Sequence, residues 1–422
     1  MNYRASISSL AAAMTIALST IGCSDSTSST AGSQFNDNAN NNGTPSQFDE
    51  GKLVTNLTNN ILTPAFEEFD QLASQLNQSV ITYCQSEIGF TTGSIDANQR
   101  DSDRTQARDD WKAAMSSWQK VEMMQIGPLI ENQSSLRNKI YSWPVANTCA
   151  VDQDVTFFNA GNINGTPYNV ANRVVTRRGL DALEYLLFND NLEHSCTATT
   201  APAGWDNLSE RQRVEQRCQF AVELTDDLRN NVDDFLAAWS GDSGYAQSLL
   251  NASAQPGSDF ENIHEAVNRI SDAIFYLDTV TKDSKLAIPL GLFENDCQQN
   301  ACPENLESQF ANHSLENIRS NLIAIRAVFT GNSDQSNDNT GFDDYLIEEG
   351  AEATATNISN AIDNAINNID AYQVTLNDAL VNSTNNVQAT HDQIKAITDQ
   401  MKTDFITQLA LQLPASSAGD ND

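Results

Sequence analysis

From Val54 onward, apolar residues recur at steps of three and four, the repeat of helices that bury one face. Leu57, Ile61, Phe66, Phe69, Leu72 and Leu76 sketch a first helix, and Trp111, Met115, Trp118 and Val121 a second that stops at Gly127-Pro128. A loop region containing Trp143-Pro144 and Gly165-Thr166-Pro167 comes next, and Arg173 to Phe188 reads as the third helix. Glu210 to Trp239 forms a longer one. Ile263, Val267, Ile270, Ile274 and Leu277 mark another, closed by Ile288-Pro289-Leu290-Gly291. Leu315 to Phe329, Asn357 to Leu380 and Val387 to Leu413 complete the body. No alternating run of strand length stands out. The pattern predicts an all-α fold of antiparallel helical bundles, divided near residue 240 into halves at 52–240 and 241–413, with 414–422 as a disordered tail. Segments 53–84 and 354–384, both Asn-rich and amphipathic, hint at duplication.

The first fifty residues change the picture. Arg4 precedes an apolar stretch from Leu10 to Leu18, too short to span a bilayer as a mature helix. Thr20-Ile21-Gly22-Cys23 resembles a bacterial lipobox, with Thr20 where Leu is usual. The expectation is a signal peptide over 1–22 and lipid attachment at Cys23. Ser24 then implies sorting to the outer membrane, with the body in the periplasm. The polar stretch up to residue 51 reads as a flexible spacer. A formal charge of −33 over 422 residues argues against nucleic acid and against docking on anionic lipid, and fits metal ions, cationic partners or solubility. Without Cys23 the chain keeps Cys84, Cys149, Cys196, Cys218, Cys297 and Cys302, an even number in an exported protein. Their clustering favours Cys297–Cys302, Cys196–Cys218 and Cys84–Cys149.

The candidate chemistry lies in Gly179 to Phe188. Leu180, Leu183, Leu187 and Phe188 recur at helical spacing, and Asp181 and Glu184 share a face with them. Two acids at a buried seam demand a cation, a proton or a set of donors. Arg177 and Arg178 stand within one turn of Asp181 and could neutralise it, whereas Glu184 has no such neighbour and needs a partner from another element. Gly179 either starts the helix or permits a close approach. Glu122 projects from the tryptophan face of its helix, as a pocket wall or as a salt bridge to a residue such as Arg137. Lys285, in a turn near a helix end, could reach a buried acid of the first half. His313 and Glu316 have H-x-x-E spacing, but no H-E-x-x-H helix, phosphate loop, G-x-S-x-G elbow or dinucleotide fingerprint occurs.

Taken together, Trp111, Trp118 to Glu122 and Gly127-Pro128, then Arg178 to Phe188, Lys285 to Gly291 and Gly341 to Leu346, resemble the imelysin family of bacterial periplasmic proteins over about residues 52 to 413. That resemblance implies two helical bundles with a site where they meet. The family is also classed as imelysin or insulin-cleaving peptidases, and related members are implicated in iron uptake. Of its hallmark G-x-H-x-x-E, Gly179 and Glu184 match, and Asp181 stands where the histidine belongs. A carboxylate in place of imidazole shifts preference from zinc or ferrous iron toward hard cations such as ferric iron or calcium. The expectation is therefore a lipoprotein that binds a metal ion or small ligand in connection with iron uptake and with iron-transport components as partners. Asp181 and Glu184 would be metal ligands, and Trp118, Glu122, Arg137, Arg178, Gly179 and Lys285 would shape the pocket; no residue is assigned a catalytic role. The alternatives are a metallopeptidase of the same family and a non-catalytic scaffold whose acids are all paired with arginine.

Overall fold

Burial of the predicted apolar stripes generates two four-helix bundles in the computed structural model, which describes residues 46–253, 257–332 and 339–418. The expected signal peptide, Cys23, most of the spacer and the last four residues lie outside the described residues. Among the described residues no helix is long and apolar enough to cross a membrane.

The chain enters through α1 (Glu50–Asn56), capped by the Asp49 side chain, and passes through a π-helical turn (Leu57–Leu62) into α2 (Thr63–Thr92). Thr63-Pro64 follows directly on the π-helical turn, and Gly93 ends α2 in the left-handed conformation. α3 (Ala97–Glu122) starts under an Asp96 cap, and α4 (Glu131–Ile140) and α5 (Thr148–Ala160) follow. A minimal hairpin pairs β1 (Asn162–Ile163) with β2 (Thr166–Pro167). α6 (Gly179–Phe188) and α7 (Glu210–Trp239), the latter with a Ser209–Gln212 capping box, close the first bundle. In it α3 packs on α2, α2 on α7, α7 on α6 and α6 back on α3. Phe66, Phe69, Trp111, Trp118, Phe220, Phe235 and Trp239 fill its core.

After α8 (Tyr245–Leu250), α9 (Ile263–Ile274) leads into an eleven-residue π-helix (Leu277–Ala287) and the short α10 (Ile288–Leu290). α11 (Ser314–Thr330), α12 (Phe342–Glu348), α13 (Glu352–Asp370), α14 (Leu376–Asn382) and α15 (Thr384–Gln400) follow. A π turn (Met401–Phe405), α16 (Ile406–Gln408) and α17 (Ala415–Ala418) end the described chain. The π-helix, α11, α13 and α15 form the second ring, and α11 lies directly on α3. That α3–α11 seam holds the polar site.

Several sequence expectations need correction. The third helix begins at Gly179, not Arg173, because a 3-10 turn (Val175–Arg177) and an extended Arg178 precede it. The region read as a loop contains α4 and α5. Their periodicity was masked because α5 buries the acids Asp152 and Asp154, each held by arginine. The stretch from Asn357 to Leu380 breaks into α13 and α14, with Thr375 capping the second, and residues 415–418 of the expected tail form a helical turn. Phe48, in the expected spacer, stacks on Tyr345 with ring centroids 4.2 Å apart.

Among the cysteines, Cys297–Cys302 is bonded as expected, but the other pairs are Cys84–Cys218 and Cys149–Cys196. Sequence clustering misled because α2 and α7 are neighbours in the bundle, which sets the Cα atoms of Cys84 and Cys218 only 5.2 Å apart. Cys149, at the start of α5, meets Cys196 in the loop after α6. The Cys84–Cys218 bridge closes a long loop, so replacing both residues by Ser should cost about 2–5 kcal/mol in denaturant unfolding. A non-reducing peptide map should recover Cys84 with Cys218; recovering Cys196 with Cys218 would refute this connectivity.

Candidate functional site

The last turns of α3 aim polar side chains into the seam with α11. Gln119 and Glu122 are fully buried there. Lys285, presented by the π-helix and 1% exposed, donates from Nζ to Glu122 Oε2 at 2.6 Å, to Asn321 Oδ1 of α11 at 2.9 Å and to Gln119 Oε1. Glu122 Oε1 also faces Arg137 Nη2 of α4 at 3.4 Å. Glu122 thus has both partners named from the sequence, the salt bridge to Arg137 and the lysine from the other half.

A second buried acid, Glu307, comes from the loop before α11. Its Oε1 accepts from Gln119 Nε2 at 3.0 Å and from the Tyr141 hydroxyl, and lies 3.2 Å from Lys285 Nζ. Its Oε2 is buried without a hydrogen-bond partner. Burial raises the Glu307 carboxyl, and the nearby Lys285 opposes that rise. Tyr141 is held far above its ordinary value by burial and by Glu307.

Asp181 and Glu184 form the outer edge, 8% and 7% exposed. Neither meets a guanidinium in a hydrogen bond. Asp181 Oδ2 accepts from the Ser142 backbone N–H at 2.6 Å and from its hydroxyl at 3.1 Å, whereas Oδ1 has no donor among the described residues. Glu184 Oε1 accepts from the Ala311 N–H at 2.9 Å. Desolvation pushes the Asp181 carboxyl up to about 7, against the Ser142 hydrogen bonds and Arg137. It pushes Glu184 up to about 8, against the Ala311 N–H and with the help of Asp181 and Glu307.

Arg177 and Arg178 do not neutralise Asp181. Arg177 binds Asp154 at 2.6 Å, and Arg178 forms a two-pronged pair with Asp227 of α7, turned away from the acids. Arg137 supplies the nearest positive charge and also donates to the Tyr276 hydroxyl at 2.5 Å. Trp118 packs 5.2 Å from Phe69 and 6.1 Å from Tyr141, with its indole N–H buried and unpartnered.

Gly179 answers both readings of its role: it opens α6, at φ +81°, and a Cβ there would come within 2.6 Å of the Ile140 carbonyl oxygen. Left-handed non-glycine residues flank the site. Asn132, Gln133 and Ser134 precede Arg137, Ser308 directly follows Glu307, and Asn312 directly follows Ala311. Sequence periodicity could have found Gln119, four residues after Met115 on the buried face of α3. It could not have found Glu307 or the Ser142 and Ala311 amides, which sit in turns outside any helical repeat.

The family model for imelysin matches residues 62–403 of this sequence. The chain belongs to the imelysin family. No curated protein matches it. Its fold is similar to that of an imelysin-like protein from Psychrobacter arcticum 273-4, with a TM-score of 0.64 and 16% identity over 88% of this chain and all of that one. It is also similar to a protein from Parabacteroides distasonis ATCC 8503 named an iron-regulated protein A precursor, with a TM-score of 0.66 and 15% identity over 88% of this chain and 97% of that one.

In this imelysin seam, Glu122, Asp181, Glu184 and Glu307 face two bases, Arg137 and Lys285. The Ser142 and Ala311 donors offset part of the difference, and the raised values of Asp181 and Glu184 leave protons or a cation to supply the rest. The acids do not form a closed chelating cage, since among the described residues the one tight grouping of three ligand side chains is Cys297, Cys302 and Glu304, whose sulfurs are joined in a disulfide. The donor set fits a cation held by one or two carboxylates that keeps water or ligands of its own, as hard cations do. It does not supply the three protein ligands of a catalytic zinc site.

Replacing Lys285 by Met should cost about 3–5 kcal/mol of unfolding free energy, because it strands buried acids, and adding Glu122→Gln should recover part of that loss. The raised outer acids set the sign of a pH effect: the folded state binds more protons than the unfolded chain between their unfolded values near ~4 and their folded values of about 7 and about 8. Their contribution is therefore full in acid and lost as pH rises through that window. The D181N/E184Q protein should lose less stability than the parent between pH 5 and pH 8 in urea titrations; parallel pH profiles would refute the assignment.

Proposed function

We propose that this imelysin-family protein is a periplasmic lipoprotein, anchored through Cys23, that takes up a hard metal cation or a small complex of one at the outer edge of the α3–α11 seam. The observation that carries the reading is the surplus of buried carboxyl groups over bases, together with two carboxylate oxygens left open: Asp181 Oδ1 and Glu307 Oε2. Lys285 and Arg137 hold Glu122 and Glu307 in the interior. Asp181 and Glu184 stand nearest solvent and give up their protons when positive charge arrives, while the Ser142 and Ala311 amides fix their orientation. A bound cation would supply the charge that those protons otherwise supply.

Iron is the cation we favour. The support is the oxygen-only donor set, which suits a hard ion, and the name of the Parabacteroides neighbour. Delivery to or from iron-transport components of the envelope belongs to the same proposal. A peptidase reading gains nothing from the geometry, because the seam offers no arrangement of three metal ligands around an activated water.

Calorimetric titration of the chelator-treated soluble body with calcium and with ferric iron supplied as a citrate chelate tests the proposal. Binding should strengthen at least tenfold from pH 5.5 to pH 8, release protons measurable by comparing buffers, and vanish in D181N/E184Q. No heat and an unchanged melting curve with either metal at both pH values would overturn it.

A further inference from the structure

A second cleft, walled in part by the residues that follow Glu184, is lined by arginine. It lies in the first bundle, where α2, α3 and α7 meet the turn after α6, and encloses 310 Å³. Four of the chain's 23 basic residues line it: Arg100, Arg104, Arg211 and Arg217. Two acids, Glu87 and Glu210, line it as well, so arginine is concentrated here in a protein whose formal charge is −33.

Each of these arginines already has a carboxylate partner. Glu87 pairs with Arg211 at 2.5 Å, Arg100 with Asp101 at 2.6 Å, Arg104 with Asp190, and Arg217 with Asp152 at 3.1 Å. The guanidinium groups nonetheless keep donors in reserve. Among the described residues, Arg104 Nη1 and Arg211 Nη2 donate to no protein acceptor. Arg217, only 2% exposed, has a buried Nε with no partner. A guanidinium offers its donors in a planar fork that matches a carboxylate or a phosphate two bonds at a time.

The site is also held in place. The Arg100 and Arg211 guanidinium carbons lie 4.2 and 4.6 Å from the centre of the Phe90 ring, which restrains both side chains. Cys218 lines the cleft, and its disulfide to Cys84 ties α7 to α2 beneath it. Leu186, Leu192 and Val214 complete the wall with apolar surface.

We propose that this cleft binds a small organic oxyanion, a carboxylate or phosphate group on a short apolar body. The oxyanion meets Arg104 and Arg211, Arg217 backs it from below, and the hydrocarbon part lies against Leu186, Leu192 and Val214. The volume sits at the low end for small-molecule sites, which limits the ligand to a compact one. The chain's overall negative charge does not prevent this, since charges beyond about 8–10 Å are screened at physiological salt.

Titration calorimetry of the soluble body with inorganic phosphate, butyl phosphate and butanoate tests the inference and separates a phosphate source from a carboxylate one. At least one probe should bind saturably, and Arg104→Gln and Arg211→Gln should each weaken it at least tenfold. Both variants leave the local acids partnered, Asp190 by Arg108 at 2.7 Å and Glu87 by Arg100 at 4.0 Å, so they should fold, which circular dichroism checks. D181N/E184Q should bind the same probe as the parent does, which keeps this cleft distinguishable from the metal proposal. Failure of all three probes to bind the parent protein, or binding unchanged in both arginine variants, would overturn the inference.

Discussion

Burying four carboxyl groups against two bases is the constraint around which this protein is arranged. Each buried charge costs several kcal/mol unless it is paired or neutralised. The inner acids meet that cost with fixed partners: Lys285, Arg137, Gln119, Asn321 and Tyr141 enclose Glu122 and Glu307 from four separate stretches of chain. The outer acids do not. Asp181 and Glu184 hold only amide and hydroxyl donors, and their affinity for protons rises until they titrate near neutrality. The seam therefore has an interior held by fixed partners, with Glu307 Oε2 its one unpartnered carboxylate oxygen among the described residues, and a chemically open edge.

The rest of the fold serves to place those groups. α3 supplies Gln119 and Glu122, the π-helix brings Lys285 across from the other bundle, and α11 contributes Asn321. A π-helix is rare, and here it carries the lysine on which the inner cluster rests. Left-handed turns at Asn132 to Ser134, Ser308 and Asn312 bend the chain where Arg137 and Glu307 enter the seam. Such strained backbone persists only where surrounding contacts over-determine it. Gly179 lets α6 press its first turn against the Ile140 carbonyl, which brings Ser142 to Asp181.

The helices, and with them the all-α fold, were legible because apolar residues repeat at helical spacing along most of the body. Glu122, Asp181, Glu184 and Lys285 were legible as charges on or beside apolar stripes. What was not legible depends on through-space neighbours. Arg178 looked like the partner of Asp181 along one helix, but α7 offers it Asp227 instead. Cys84 looked closest to Cys149, but helix packing sets it against Cys218. Glu307 lies in a turn with no period, and the Ser142 and Ala311 amides are backbone groups that no residue type reveals. The arginine cleft likewise assembles from residues 83–104 and 186–218, which only the bundle brings together.

The central claim is that the outer acids carry protons at neutral pH when no cation replaces them. Carboxyl-carbon NMR titration of the metal-stripped protein measures this directly, with Asp181→Asn and Glu184→Gln assigning the two signals. The account predicts midpoints for Asp181 and Glu184 near 7 and 8. Midpoints near the ordinary carboxylate value of about 4 would contradict it.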